Sequence, residues 1–119
     1  MESQKADITT REDITKLITR FYEKVRADEQ LKPHFLDIDW EHHTPIIIDF
    51  WNMILLGDTT YKGNPFAKHL RLSLKQEDFK QWIFLFLGTV DEYFSGEVAN
   101  EAKQRAQQIA GVFQHRLGL

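Results

Sequence analysis

Apolar residues recur at steps of three and four along nearly the whole chain, and nowhere do they alternate with polar ones for more than a few positions. That spacing puts them on one face of a helix, whereas a half-buried strand needs a period of two. The first stripe is Ile14, Leu17, Ile18, Phe21 and Val25, opened by Thr10 with Asp13 as a capping pair. Pro33 closes this region, and residues 29 to 40 read as irregular. The second stripe carries Ile46, Ile47, Phe50, Trp51, Ile54 and Leu55. Thr44 is its expected cap, Pro45 its first helical residue, where a missing N–H costs nothing, and Gly57 its stop. After the loop GDTTYKGN, Asn64-Pro65 repeats the cap-then-proline logic for a short helix with Phe66, His69 and Leu70. Ser73 with Gln76 is expected to open a long helix with Phe79, Trp82, Ile83, Phe86, Val90 and Phe94, ended by Ser95-Gly96. Val98, Ala102, Ala106, Ile109, Phe113 and Leu117 mark the last helix. The chain reads as all-α, with four substantial helices and one short one, in a single domain over residues 1–119.

A chain of 119 residues can bury one modest core. Its formal charge is -3 and its basic residues are scattered, so it carries neither a nucleic-acid footprint nor a polybasic membrane anchor. Absence of cysteine excludes disulfides, thiolate metal sites and a cysteine nucleophile. The longest strongly apolar stretch, Trp82 to Leu87, is too short to span a bilayer, and MESQKADITT lacks the apolar stretch of a signal peptide. The expectation is a cytoplasmic protein with no nucleic-acid or membrane partner.

Aromatic residues make up 13% of the chain, nine of them Phe. They serve either a small core built from large side chains or a pocket for a flat apolar ligand. Tyr22, His43, His69 and Trp82 are polar groups on otherwise apolar faces. Each taken singly has a plain structural reading, as a core-edge tyrosine, a core tryptophan or a solvated histidine. No HExxH, acidic calcium loop or glycine-rich phosphate loop is present, and no pair of carboxylates is convincing as acid and base, so no catalytic residue is assigned. One histidine on a short helix, followed by a long aromatic helix, does meet the needs of haem. Haem iron takes one neutral imidazole on one face, an apolar slot for the macrocycle, and donors opposite. Tyr O–H and Trp N–H donate without bringing a full charge.

The stretches FYEKVRAD (21–28), WEHHTPIIIDFWNMILLG (40–57), PFAKHLRL (65–72), FKQWIFLF (79–86) and AKQRAQQIAGVF (102–113) resemble the third group of bacterial truncated haemoglobins, in the family's order and over residues 10 to 117. The resemblance implies a shortened globin fold, a helix-over-helix sandwich around haem b. It implies His69 as the proximal iron ligand, Tyr22 and Trp82 as distal donors, Phe35 wedged against the haem, and Trp51 packed beside the pocket. The distal histidine falls on His43 rather than His42. From helical phase, Ile47 shares a face with His43, Phe66 and Leu72 flank His69 by three residues, and Phe86 lies one turn beyond Trp82. Lys68 or Arg71 is an ordinary solvated charge or a partner for a propionate.

Three functions follow as expectations. The first is binding of O2, NO and CO at a pentacoordinate-type iron, with two hydrogen bonds from the distal side that slow release and disfavour a bulk oxygen carrier. In this reading His43, placed just before the helix start, has a loose backbone and gates access. The second is NO dioxygenation or peroxidase-like redox chemistry, which requires an external reductase because the chain has no flavin or nicotinamide site. The third is a helical interaction module without haem.

Overall fold

The computed structural model describes residues 5–57 and 74–119. They form four α-helices, α1 (Arg11–Ala27), α2 (Trp40–Leu56), α3 (Gln76–Tyr93) and α4 (Glu97–Arg116), with one 3-10 turn (Lys32–Phe35) between α1 and α2. No strand occurs among the described residues, in line with the periodicity. The short helix expected around Phe66, His69 and Leu70 lies outside the described residues, as do Lys68, Arg71, Leu72 and Ser73.

α1 follows its sequence closely. Thr10 accepts the amide of Asp13, and the Asp13 carboxylate accepts the amides of Thr9 (2.9 Å) and Thr10 (3.1 Å). This reciprocal cap satisfies amides that the first turn cannot pair internally. Ile14, Leu17, Ile18, Phe21 and Val25 are all fully buried. Burial of each is worth roughly 1.5–3 kcal/mol against exposure.

α2 departs from its sequence reading at the start. It opens at Trp40, not at Thr44-Pro45, because the Asp39 side chain accepts the amide of His42 and a carboxylate at a helix start is favoured by the backbone dipole. Pro45 therefore lies inside the helix, and the Glu41 carbonyl four residues back has no proline amide to accept. His43 donates its amide to the Asp39 carbonyl at 2.9 Å, so its backbone is held in the helix rather than loose. The core face runs Ile48, Trp51, Asn52 and Leu55, so Trp51 and Leu55 stand as expected, Ile48 and Asn52 join them, and Ile46, Ile47, Phe50 and Ile54 are half-buried beside them. A run as apolar as Ile46 to Ile48 does not phase itself; packing does. Gly57 ends the helix in the left-handed conformation (φ 78°), which suits a residue without Cβ.

α3 begins at Gln76, so Gln76 is the first helical residue and not the third of a capping box. Its start is tied instead by Asp78, whose carboxylate accepts the Lys75 amide at 2.9 Å. α4 turns Ala99, Ala102, Ala106 and Ala110 inward, and these small residues let α3 lie close along it. α1 packs across both α2 and α3, giving one helix pair laid over the other.

The segment before α1 closes the far end. Asp7 accepts the amides of Val98 (3.0 Å) and Ala99 (2.8 Å), capping α4 from a distant part of the chain. Gly96 sits beside it at φ 139°, where a Cβ would come within 2.5 Å of the Asp7 side chain. Only glycine fits there.

Candidate functional site

The helix pairs meet over a cluster of rings. Trp82 on α3 stacks on Phe86 one turn along (5.7 Å between centroids, 17° between planes), and Phe86 stacks on Trp51 of α2 (4.9 Å, 23°). Phe21 of α1 presents its edge to both Trp82 (5.4 Å) and Phe86 (5.0 Å). Offset stacks and edge-on contacts add about 0.5–1.5 kcal/mol each beyond the area they bury. Three helices thus hold the Trp82 indole in one orientation.

Tyr22, beside Phe21 on α1, is buried, with its hydroxyl close to the Trp82 side chain. An indole N–H only donates, so the phenol keeps its own proton for another acceptor. Burial pushes the Tyr22 pKa up to about 12, with the nearby Trp82 side chain acting weakly the other way. The phenol therefore stays a neutral donor throughout the ordinary pH range.

Next to this pair lies a small crevice, part of it open to solvent, lined by Leu31, Phe35, Leu74, Asp78, Phe79, Trp82 and Phe113. Its walls are apolar apart from the Asp78 carboxylate and the edge of Trp82. Burial raises the pKa of Asp78, but the Lys75 amide, the Gln30 side chain (3.0 Å) and the charge of His34 outweigh that and hold it below the usual carboxylate range. The His34 Nε2 lies 3.2 Å from the Asp78 carboxylate, so the 3-10 turn is tied to the start of α3 across the crevice mouth.

Of the residues singled out from sequence, Phe35 and Trp82 come together in the crevice wall, and Tyr22 lies close to Trp82 without lining that wall. Trp51 and Phe86 are buried behind Trp82 and do not line that wall. Ile47 and His43 are half-buried one turn apart on α2. His69, Phe66 and Leu72 lie outside the described residues. Sequence reasoning missed Phe79 and Phe113 as lining residues, although Phe79 precedes Trp82 by three on the same stripe. It also missed Trp40, whose ring lies 5.1 Å from that of Tyr22 and 6.1 Å from that of Phe35. Among the described residues no cluster of three or more His, Cys, Asp or Glu could hold a metal ion. No described helix is long and apolar enough to cross a membrane. An apolar wall with two neutral donors at one edge suits one side of a flat, largely apolar group and a small polar ligand beside it.

The family model described as bacterial-like globin matches residues 6–115. The group 3 truncated hemoglobin of Campylobacter jejuni is 40% identical over 95% of this chain and 94% of its own length. The crystal structure of a group III truncated hemoglobin from that organism superimposes with a TM-score of 0.86, at 40% identity, covering 96% of this chain and 95% of the other. A truncated hemoglobin from Tetrahymena pyriformis in its Fe(III) form matches with a TM-score of 0.71 at 28% identity, covering 89% and 88% of the two chains.

Proposed function

The chain belongs to the bacterial-like globins and, among them, to the group III truncated haemoglobins; from that premise we propose that it is a haem protein that binds O2, NO and CO and releases O2 slowly. The observation that carries the reading is the placing of two neutral donors, the buried Tyr22 phenol and the Trp82 indole, side by side at the edge of the apolar crevice. When bound, haem b supplies an iron with one open position for a diatomic gas.

The chain's own residues do the rest. His69, in the motif KHLRL, is proposed as the iron ligand through Nε2, with Phe66 and Leu72 beside it. Phe35, Phe79 and Phe113 give the slot an apolar surface. Trp51 and Phe86 act from behind, by fixing the Trp82 indole. Tyr22 and Trp82 each offer the ligand a proton without bringing a full charge. A donor held in place by neighbouring rings pays little ordering entropy when the ligand arrives. Each hydrogen bond to a ligand bearing partial charge is worth about 1.5–3 kcal/mol, which is roughly a tenfold to hundredfold slowing of release. His43 and Ile47 are proposed as the α2 side of the same pocket. Since the His43 backbone is helical, any control of access rests on rotation of its ring.

The test is the absorption spectrum of the purified chain supplied with hemin, in ferric, ferrous and CO forms. A Soret band in each form is expected, with a marked change in the His69→Gly variant. A colourless wild-type protein, or a variant that holds its cofactor with an unaltered spectrum, overturns the reading.

A further inference from the structure

Tyr22 and Arg26 stand one turn apart on α1, and both contact Trp40, the first residue of α2. The tyrosine ring lies 5.1 Å from the Trp40 centroid at 46°, and the Arg26 guanidinium carbon also lies 5.1 Å from that centroid. Residues four apart on a helix share a face, so α1 brackets the indole between a ring and a cation. The same indole lies 6.1 Å from Phe35 in the crevice wall. The position of Trp40 along the chain is set in turn by the Asp39 cap of α2.

We propose that Trp40, bracketed by Tyr22 and Arg26, is a positioning residue that sets the direction of the Tyr22 hydroxyl and through it the rate of ligand release. The proposal rests on the haem-protein reading above. Trp82 lies beside the phenol oxygen but leaves the tilt of the ring open. A phenol carries its oxygen at the far end, so a small tilt swings the remaining proton away from a ligand. A second contact on the ring itself removes that freedom, and Trp40 supplies it from a different helix. Arg26 is exposed and Trp40 half-buried, so the bracket sits at the rim, and changing it leaves the fully buried residues in place.

Tyr22→Phe, Trp40→Leu, Trp40→Phe and Arg26→Met in the full chain loaded with hemin test this. Three readouts serve: O2 release by stopped flow, the infrared C–O stretch of the CO form, and the Trp82 indole N–H resonance. Tyr22→Phe is expected to release O2 faster by about tenfold to a hundredfold. Trp40→Leu is expected to speed release by about tenfold, broaden the C–O band and shift the indole resonance. Trp40→Phe, which keeps a ring in the bracket, restores near wild-type values. Arg26→Met gives a smaller change of the same kind, about twofold to threefold, and carries the test if Trp40→Leu proves too unstable. If Tyr22→Phe speeds release while the Trp40 and Arg26 variants leave all three readouts at wild type, the positioning role is overturned and the donor role of Tyr22 stands. If Tyr22→Phe itself changes nothing, that donor role falls and the proposal with it.

Discussion

The two ends of this small fold are built differently. Around Ile8, Ile14, Leu17, Val90, Ala99 and Ala102 the side chains are essentially sealed from solvent, and Asp7 staples the preceding segment onto α4. At the crevice, the Trp40 and Trp82 rings are left half-exposed beside buried phenylalanines, and polar groups such as Tyr22, Asp78 and His34 are interleaved with them. The sealed end is made of aliphatic and small residues that pack without direction. The open end is made of aromatics with hydrogen-bonding edges, whose usefulness depends on orientation. Stability is concentrated where nothing has to enter, and the ring cluster borrows rigidity from it through Phe21, the residue that both ends share.

Phe21→Ala breaks that comparison most severely. It is expected to cost about 3–5 kcal/mol in urea unfolding and to alter tryptophan fluorescence in the same protein, since its ring touches Trp82 as well as the core. An unchanged fluorescence would show that the two ends are independent. Tyr22→Phe comes next and acts at the open end alone. It is expected to lose about 1.5–3 kcal/mol of ligand retention, read as faster O2 release, while melting within a few degrees of wild type. Asp7→Ala acts at the sealed end alone. Removing this cap is expected to cost about 0.5–2 kcal/mol by thermal melting and to leave ligand release untouched.

The Asp7 carboxyl also makes that end sensitive to acid. Burial pulls its pKa up, but the amides of Val98, Ala99 and Ile8 outweigh this and hold it below its ordinary value of 3.8. Asp13 and Asp78 are lowered in the same way, against burial, by the hydrogen bonds they accept. A carboxyl lowered on folding stabilises the fold above its unfolded pKa and loses that contribution as pH falls through the folded value. Stability is therefore expected to decline below about pH 4, and Asp7→Ala to flatten the decline in melts followed from neutral to acid pH. Lys24→Ala, which removes a surface pair with Glu92 (2.7 Å), is the smallest change. It is expected to cost well under about 1 kcal/mol and to vanish in high salt.

Much of this arrangement was legible in the residues themselves. The five-residue stripe of α1, its Thr10–Asp13 cap and the Gly57 stop all stand where spacing and turn chemistry put them. That Tyr22 and Trp82 lie together was not read from sequence; the resemblance implied only that both serve one ligand, and a hydroxyl and an indole 60 residues apart carry no local sign that they meet. The start of α2 went astray because Pro45 offered a local signal at least as good as that of Asp39. Trp40 and Phe113 escaped notice for a different reason: each looks like one more core ring until its neighbours are known.

The sequence by itself determined that this chain is helical, roughly where each helix runs, and which face of α1 is buried, because periodicity and capping act over one or two turns and depend on no other part of the molecule. Only the tertiary structure decided the phase of α2 against its neighbours, the bracket around Trp40 and the crevice between Phe35, Phe79 and Phe113. Those depend on how helices rotate and slide against one another. That choice is made by the fit of many side chains at once, and no single stretch of chain encodes it.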